Sequence, residues 1–265
     1  MPISILERAG KYCFSNIKNL AIILFLIYSI DVLNILSANF RDTALIYIFS
    51  ILVLILTLIT TGYGLVVTRD VIHGGKELPP VFIKDSIGFG IKSTIITSVY
   101  IGIQIIILTY IAIFFHFPRF ELEELFLNIE GTGNLLFAHD LASTILFMIL
   151  SAIVLYASVF FMEISLAILA DEGHLRKTLN IIHIKECIDK IGWRHYWADY
   201  NKIIISIVIL TYLKYGIEYF HLIDDFADLL FGFLIFTIEY LGIAWTYKEY
   251  KEKTRLENSI EISIE

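Results

Sequence analysis

The sequence predicts an all-α fold: a polytopic membrane bundle of six transmembrane helices, with short amphipathic helices lying in the membrane plane on the cytoplasmic side. Three observations predict it. Hydrophobic residues make up 57% of the 265 residues and charged residues 18%, and the mean hydropathy is +0.76, whereas a surface that faces water carries more charge than this chain supplies. Apolar runs of about 20 residues, the length that crosses a bilayer, recur along the whole chain. Nearly all Lys and Arg residues fall in segments that these runs place on one side of the membrane.

Residues 1–18 read as an interfacial segment. Ser4-Ile5-Leu6-Glu7 has the form of a capping box, and Leu6, Ala9, Cys13 and Ile17 fall on one helical face, away from most of Arg8, Lys11 and Lys18. Such a helix lies in the headgroup plane; a frayed polar tail is the other reading. The membrane domain covers residues 19–247. Spans are expected at about 19–37, 43–67, 93–115, 141–170, 203–220 and 229–247. The first is long for a signal peptide and is followed by more spans, so it reads as an uncleaved span. The link between Ala38 and Asp42 is short enough to force an antiparallel hairpin. Between spans three and four lies an acidic loop with Glu121, Glu123, Glu124 and Glu130, punctuated by Pro118, Gly131 and Gly133. Residues 248–265 are charged and then alternate Ile260, Ile262 and Ile264 with polar residues, which predicts a mobile tail.

Arg41, Arg119 and Lys214 are the only basic residues outside the N-terminal segment, the two polar connectors and the tail. Positive residues stay in the cytoplasm, so the connectors and both termini are expected there, in a cell membrane. The connectors resemble each other. A shift of 101 residues lays Asp70 on Asp171, Lys76 on Lys177, Ile83-Lys84-Asp85 on Ile184-Lys185-Glu186 and Ile87 on Ile188. Each follows one span and precedes another in the same sense, which describes a parallel repeat about the membrane normal; chance similarity in an Ile- and Lys-rich chain is the alternative. Both connectors are expected to form amphipathic surface helices, with Leu78-Pro79-Pro80 as a stop and His73-Gly74-Gly75 as a break. Trp193, Tyr196, Trp197 and Tyr200 gather before span five, as aromatic residues do at a headgroup boundary.

Gly62-Tyr63-Gly64, Arg69-Asp70-Val71-Ile72, Gly75, Glu77-Leu78-Pro79, Gly90-Ile91-Lys92 and Tyr100 resemble the signature of a prokaryotic membrane-protein family, domain of unknown function 4013. Its usual pattern is a glycine-aromatic helix end, an Arg-Asp pair, a Gly-x-x-x-Leu-Pro turn and a Gly-Leu-Lys helix start. This chain departs from it at Pro80-Val81-Phe82-Ile83, where the family often has an acidic-aromatic string, and at Ile101-Gly102-Ile103, where it often has a proline. The resemblance implies a six-span membrane protein with amphipathic connectors. It implies no activity.

A charge in hydrocarbon is costly unless paired or solvated, so ionisable residues within spans are the first candidate sites. Glu163 lies about two turns from Asp171, and Glu239 a similar distance from Lys248. If spans four and six touch, the two carboxylates form a candidate ion or proton site; in a packed bundle, hydroxyls or backbone satisfy each of them instead. Asp31 and Lys214, with Glu218 one turn further on, form a candidate buried ion pair. Arg69, Asp70, Gly75, Leu78, Pro79, Gly90 and Lys92 form the connector motif. Arg69 and Asp70 either lock the connector to the bundle or, through Arg69 with Lys76, Lys84 and Lys92, hold a lipid phosphate. Asp70, Glu77 and Asp85 lower the local positive charge and favour the lock. His183 and Cys187 share a helix face, with His174 and His195 nearby in sequence, but a metal site needs three or four converging ligands, and none is expected.

No phosphate loop, nucleophile elbow or zinc-protease motif is present in the sequence, so no catalytic residue and no cofactor is expected. The net charge of −7 argues against a nucleic-acid partner. The expected partners are the lipid bilayer and either another membrane protein or a second copy of the chain. The leading reading is a non-catalytic integral membrane protein, acting in membrane organisation or as a subunit of an assembly. A small transporter or channel using the inner-leaflet carboxylates is the alternative, and a lipid-modifying enzyme a weaker third.

Overall fold

A computed structural model describes residues 2–40, 43–115, 141–219 and 224–264, with side chains described for residues 6–40, 43–115, 142–217 and 229–256. The acidic loop, Arg41 and Arg119, and the side chains of Glu218, Asp224, Asp225 and Asp228, lie outside these ranges. The described residues form helices α1 (Pro2–Cys13), α2 (Ile17–Asn39), α3 (Thr43–Ile72), α4 (Ile83–Phe114), α5 (Leu141–Glu172), α6 (Leu175–Thr178), α7 (Ile181–Ile191), α8 (Trp193–Tyr219) and α9 (Asp224–Ile264). Six of them, α2 to α5, α8 and α9, are long and apolar enough to cross a membrane. The fold is a helical membrane bundle.

The chain divides into two compact units, residues 1–96 with 163–265 and residues 97–162. In the first, α9 is the central element: it packs against α8, α3, α1, α7 and α2. Half of its membrane-length stretch is buried, against 11% to 22% in the other five spans. Those five turn residues such as Phe25, Tyr28, Ile51 and Leu54 outward, as lipid contact requires. The tightly linked α2 and α3 pack on each other. In the second unit, Ala112 and Phe147 are buried together with Ile111 and Phe115 packed around them, and the Tyr100 hydroxyl donates to the Phe161 carbonyl at 3.4 Å.

Several helices overrun the limits expected from hydropathy. The segment expected as a mobile tail continues α9 as helix to Ile264. Local hydrogen bonds propagate a helix past the point where its side chains cease to be apolar, which hydropathy does not register. The expected interfacial helix α1 packs on α9 and α8. Ala9, Tyr12 and Cys13 are buried there, whereas Ile17 is 72% exposed.

The connectors are also less alike than expected. The second forms α6 and the amphipathic α7, which buries Ile184, Cys187, Ile188 and Ile191. The first has no helix between Ile72 and Ile83. Its Gly74-Gly75 and Pro79-Pro80 pairs deny a helix both the conformational restriction and the N–H donors it needs. Ile83 therefore opens α4 and stands exposed, while its counterpart Ile184 is buried within α7. Asp70 and Asp171 do correspond: each sits in the last turn of the helix entering its connector.

Candidate functional site

The connector motif resolves into a set of contacts at one end of the first unit. Helices α3 and α4 cross with backbones touching. A Cβ built on Gly62 would lie 1.7 Å from the Ser86 carbonyl oxygen, and one built on Gly90 would lie 2.0 Å from that of Leu58. Where lipid tails are as apolar as side chains, such close approach is what holds helices together. Gly75 is required for a similar reason, since a Cβ there would lie 1.7 Å from the Asp70 carboxylate. The Gly75 N–H donates to the Asp70 carbonyl at 2.8 Å, and the Tyr12 hydroxyl donates to Asp70 Oδ2 at 3.1 Å.

Leu78 and Pro79 are held through their backbone. Leu78 is buried; its N–H donates to Ser15 Oγ at 2.9 Å and its carbonyl accepts from Asn19 Nδ2 at 2.9 Å. The Pro79 carbonyl accepts from the Tyr63 hydroxyl at 2.8 Å. Lys92 donates to the Gly173 carbonyl at 2.8 Å, just beyond the end of α5, where a cation offsets the negative end of the helix dipole. Arg69 is exposed, so the expected Arg-Asp lock is made by Asp70 with Tyr12. The counterpart carboxylate Asp171 is ion-paired with Lys251, has the His73 ring at 3.5 Å and takes a long 3.5 Å contact from the Tyr247 hydroxyl.

Glu163 on α5 and Glu239 on α9 are brought within electrostatic range of each other. Glu163 is 8% exposed and Glu239 is half-buried. Glu163 Oε2 has no hydrogen-bond partner among the described residues. It lines a cavity of about 10 Å³ together with Tyr196, Tyr200, Thr246, Ile164, Ile203 and Ile243; Glu239 is not part of that lining. The space suits about one water molecule. Asp31 is exposed on α2 and Lys214 is half-buried on α8.

Burial is the largest cause that pushes the Cys13 and Cys187 thiols up to about 11, against the opposing pull of hydrogen bonding; at Cys187 the Glu172 and Glu186 carboxylates add to the rise. His183 faces Glu172 at 3.5 Å and Glu186 at 3.6 Å and does not converge with Cys187 on a ligand set. Among the described residues, the group with converging metal-ligating atoms is His195, Asp199 and Glu249. Sequence reasoning missed Tyr12, Ser15 and Asn19. The available signal was polar residues at the mouth of the first apolar run, of which Asn19 is buried.

Six bilayer-length apolar helices, a lipid-facing exterior and a hydrogen-bonded polar end define an integral membrane protein of the multi-pass helical class. The chain belongs to the family described as protein of unknown function, DUF4013, whose model matches residues 45–218. No curated protein and no solved structure matches it.

Proposed function

We propose that this chain is a non-catalytic integral membrane protein, serving membrane organisation or acting as a subunit of a membrane assembly. The observation that carries the reading is where the family motif directs its polar groups. Asp70, the Leu78 and Pro79 backbone and Lys92 each bond to another part of the same chain. A catalytic motif presents such groups to a cavity where a substrate sits; this one ties α1, α2, α3, α4 and the end of α5 into a fixed polar platform. The platform lies on the cytoplasmic side by the distribution of basic residues, with both termini there and the protein in the cell membrane. Its partners are the lipid bilayer and another membrane protein or a second copy of the chain.

A second reading, a small transporter or channel, is favoured by one observation: the buried Glu163 with an unpartnered oxygen at a small cavity near Glu239. The first reading predicts that proteoliposomes carrying the pure protein pass protons and monovalent cations no faster than protein-free vesicles, with Glu163→Gln behaving alike. A flux present in the wild type and lost in Glu163→Gln overturns it in favour of the second. Orientation is tested by labelling single cysteines at Lys84 and Phe40 with an impermeant maleimide. Opposite accessibility is expected, and labelling of both from one side contradicts it.

A further inference from the structure

The first turns of α8 and the polar part of α9 place three ligand atoms at one point. His195 and Asp199 lie four residues apart on α8 and so share a face, and Glu249 meets them from α9. His195 Nε2 lies 3.2 Å from Asp199 Oδ2 and 2.9 Å from Glu249 Oε2. All three donor atoms lie within 4.8 Å of one another. The other Asp199 oxygen, Oδ1, is taken by Lys202 Nζ at 2.5 Å, which leaves Oδ2 turned toward the histidine.

We infer that His195, Asp199 and Glu249 form a binding site for a divalent transition-metal ion of the zinc class. Imidazole nitrogen and carboxylate oxygen bind such an ion at about 2.0–2.2 Å, which sets neighbouring ligands in a tetrahedron roughly 3.3–3.5 Å apart. The two separations that involve His195 fall within a few tenths of an ångström of that, and the 4.8 Å limit on the whole set leaves the carboxylates to close the rest of the distance by side-chain rotation.

The charges and donors agree with the distances. An imidazolium Nε2 carries a single N–H, and one hydrogen points well at only one of two oxygens. Both carboxylates crowd that same nitrogen. Neutral His195 with two carboxylates and one Lys202 ammonium leaves a net charge of −1, which a divalent cation reverses without leaving an unpaired carboxylate. Imidazole in the donor set selects zinc-like ions over magnesium or calcium, which prefer all-oxygen ligands. His195 and Glu249 are half-exposed, so an ion has a route in, and a water takes the fourth position. The bound ion would join α8 to α9, the central helix of this unit. None of its three ligands belongs to the platform or lines the cavity beside Glu163, and the site stands or falls independently of the proposed function.

The test uses the full chain in lipid nanodiscs, stripped of metal by chelation. Zn²⁺ is titrated by calorimetry, and Co²⁺ serves as a spectroscopic probe of coordination. Expected are one Zn²⁺ per chain, a tetrahedral Co²⁺ absorption displaced by Zn²⁺, and no competition from a large excess of Mg²⁺. His195→Gln and Glu249→Gln each weaken Zn²⁺ binding by at least about 100-fold and abolish the Co²⁺ signature. Glu249→Gln, on a half-exposed side chain, keeps the comparison valid should His195→Gln disturb folding, and metal-free unfolding midpoints verify this. Absence of stoichiometric Zn²⁺ binding by the wild type overturns the inference, as does unchanged affinity in both variants; either result makes the cluster an ordinary ion pair.

Discussion

Gly62 and Gly90 each stand against the backbone of the other's helix: Gly62 against Ser86, Gly90 against Leu58. This reciprocal contact sets the separation of α3 and α4, and with it the span that the irregular connector between them must bridge. Alanine at either position drives a methyl group into a carbonyl oxygen, so the helices must part. Gly62→Ala and Gly90→Ala are each expected to lower unfolding stability by about 1–3 kcal/mol. Gly88→Ala, with nothing within 4 Å of its added methyl, is expected to leave stability unchanged or raise it by up to about 1 kcal/mol through helix propensity. Unfolding midpoints in one detergent check all three, and equal losses at Gly62 and Gly88 would show that the crossing is looser than described.

The Leu78-Pro79 turn is held by side chains distant in sequence. Tyr63→Phe removes the bond to the Pro79 carbonyl and keeps the ring, so its expected cost is about 0.5–1.5 kcal/mol. Asn19→Leu removes the partner of the buried Leu78 carbonyl and is expected to cost about 1–3 kcal/mol, because the acceptor is left desolvated. Proteolysis within residues 73–82 should accelerate in both variants, and cleavage at the wild-type rate would argue that the turn holds without them.

The two thiols give a pH dependence with a fixed sign. Cys13 and Cys187 are fully buried, and burial raises them from 9.0 to about 11. The folded chain therefore keeps its protons to higher pH than the unfolded chain does. The thiol contribution to stability is full below pH 9 and is lost as pH rises toward 11. Maleimide should label neither cysteine of the folded protein at pH 7.5 and both once it is unfolded. In a Cys13→Ala, Cys187→Ala variant the stability loss between pH 9 and 11 should shrink; an undiminished loss would assign it to other groups.

Much of the bundle was legible in the chain because lipid imposes a strong rule: every spanning helix must be apolar over about 20 residues. The motif residues were also legible as a set, but the role of each was not. Gly62 and Gly90 are 28 residues apart in sequence, and no one-dimensional pattern states that each meets the other helix's backbone. Tyr12, Ser15 and Asn19 precede the motif by about 60 residues, and only the fold brings them to Asp70 and Leu78. The helix expected in the first connector failed for a local reason present in the sequence, the Gly74-Gly75 and Pro79-Pro80 pairs. Glu163 stands out in the sequence as a carboxylate within an apolar run, but the cavity beside it depends on Tyr196 and Tyr200 from α8, whose sequence position marks only a headgroup boundary. Asp199 and Glu249 carried no signal, since exposed acids near a span end are ordinary.

The central claim is that the connector motif serves architecture. A double-mutant cycle between Tyr12→Phe and Asp70→Asn, read as unfolding free energy in lipid nanodiscs, tests it most directly. The account predicts a coupling of at least about 0.5 kcal/mol between these residues, 58 positions apart in sequence. Additivity within about 0.3 kcal/mol would contradict it, by showing that the conspicuous carboxylate of the motif does not hold the chain together.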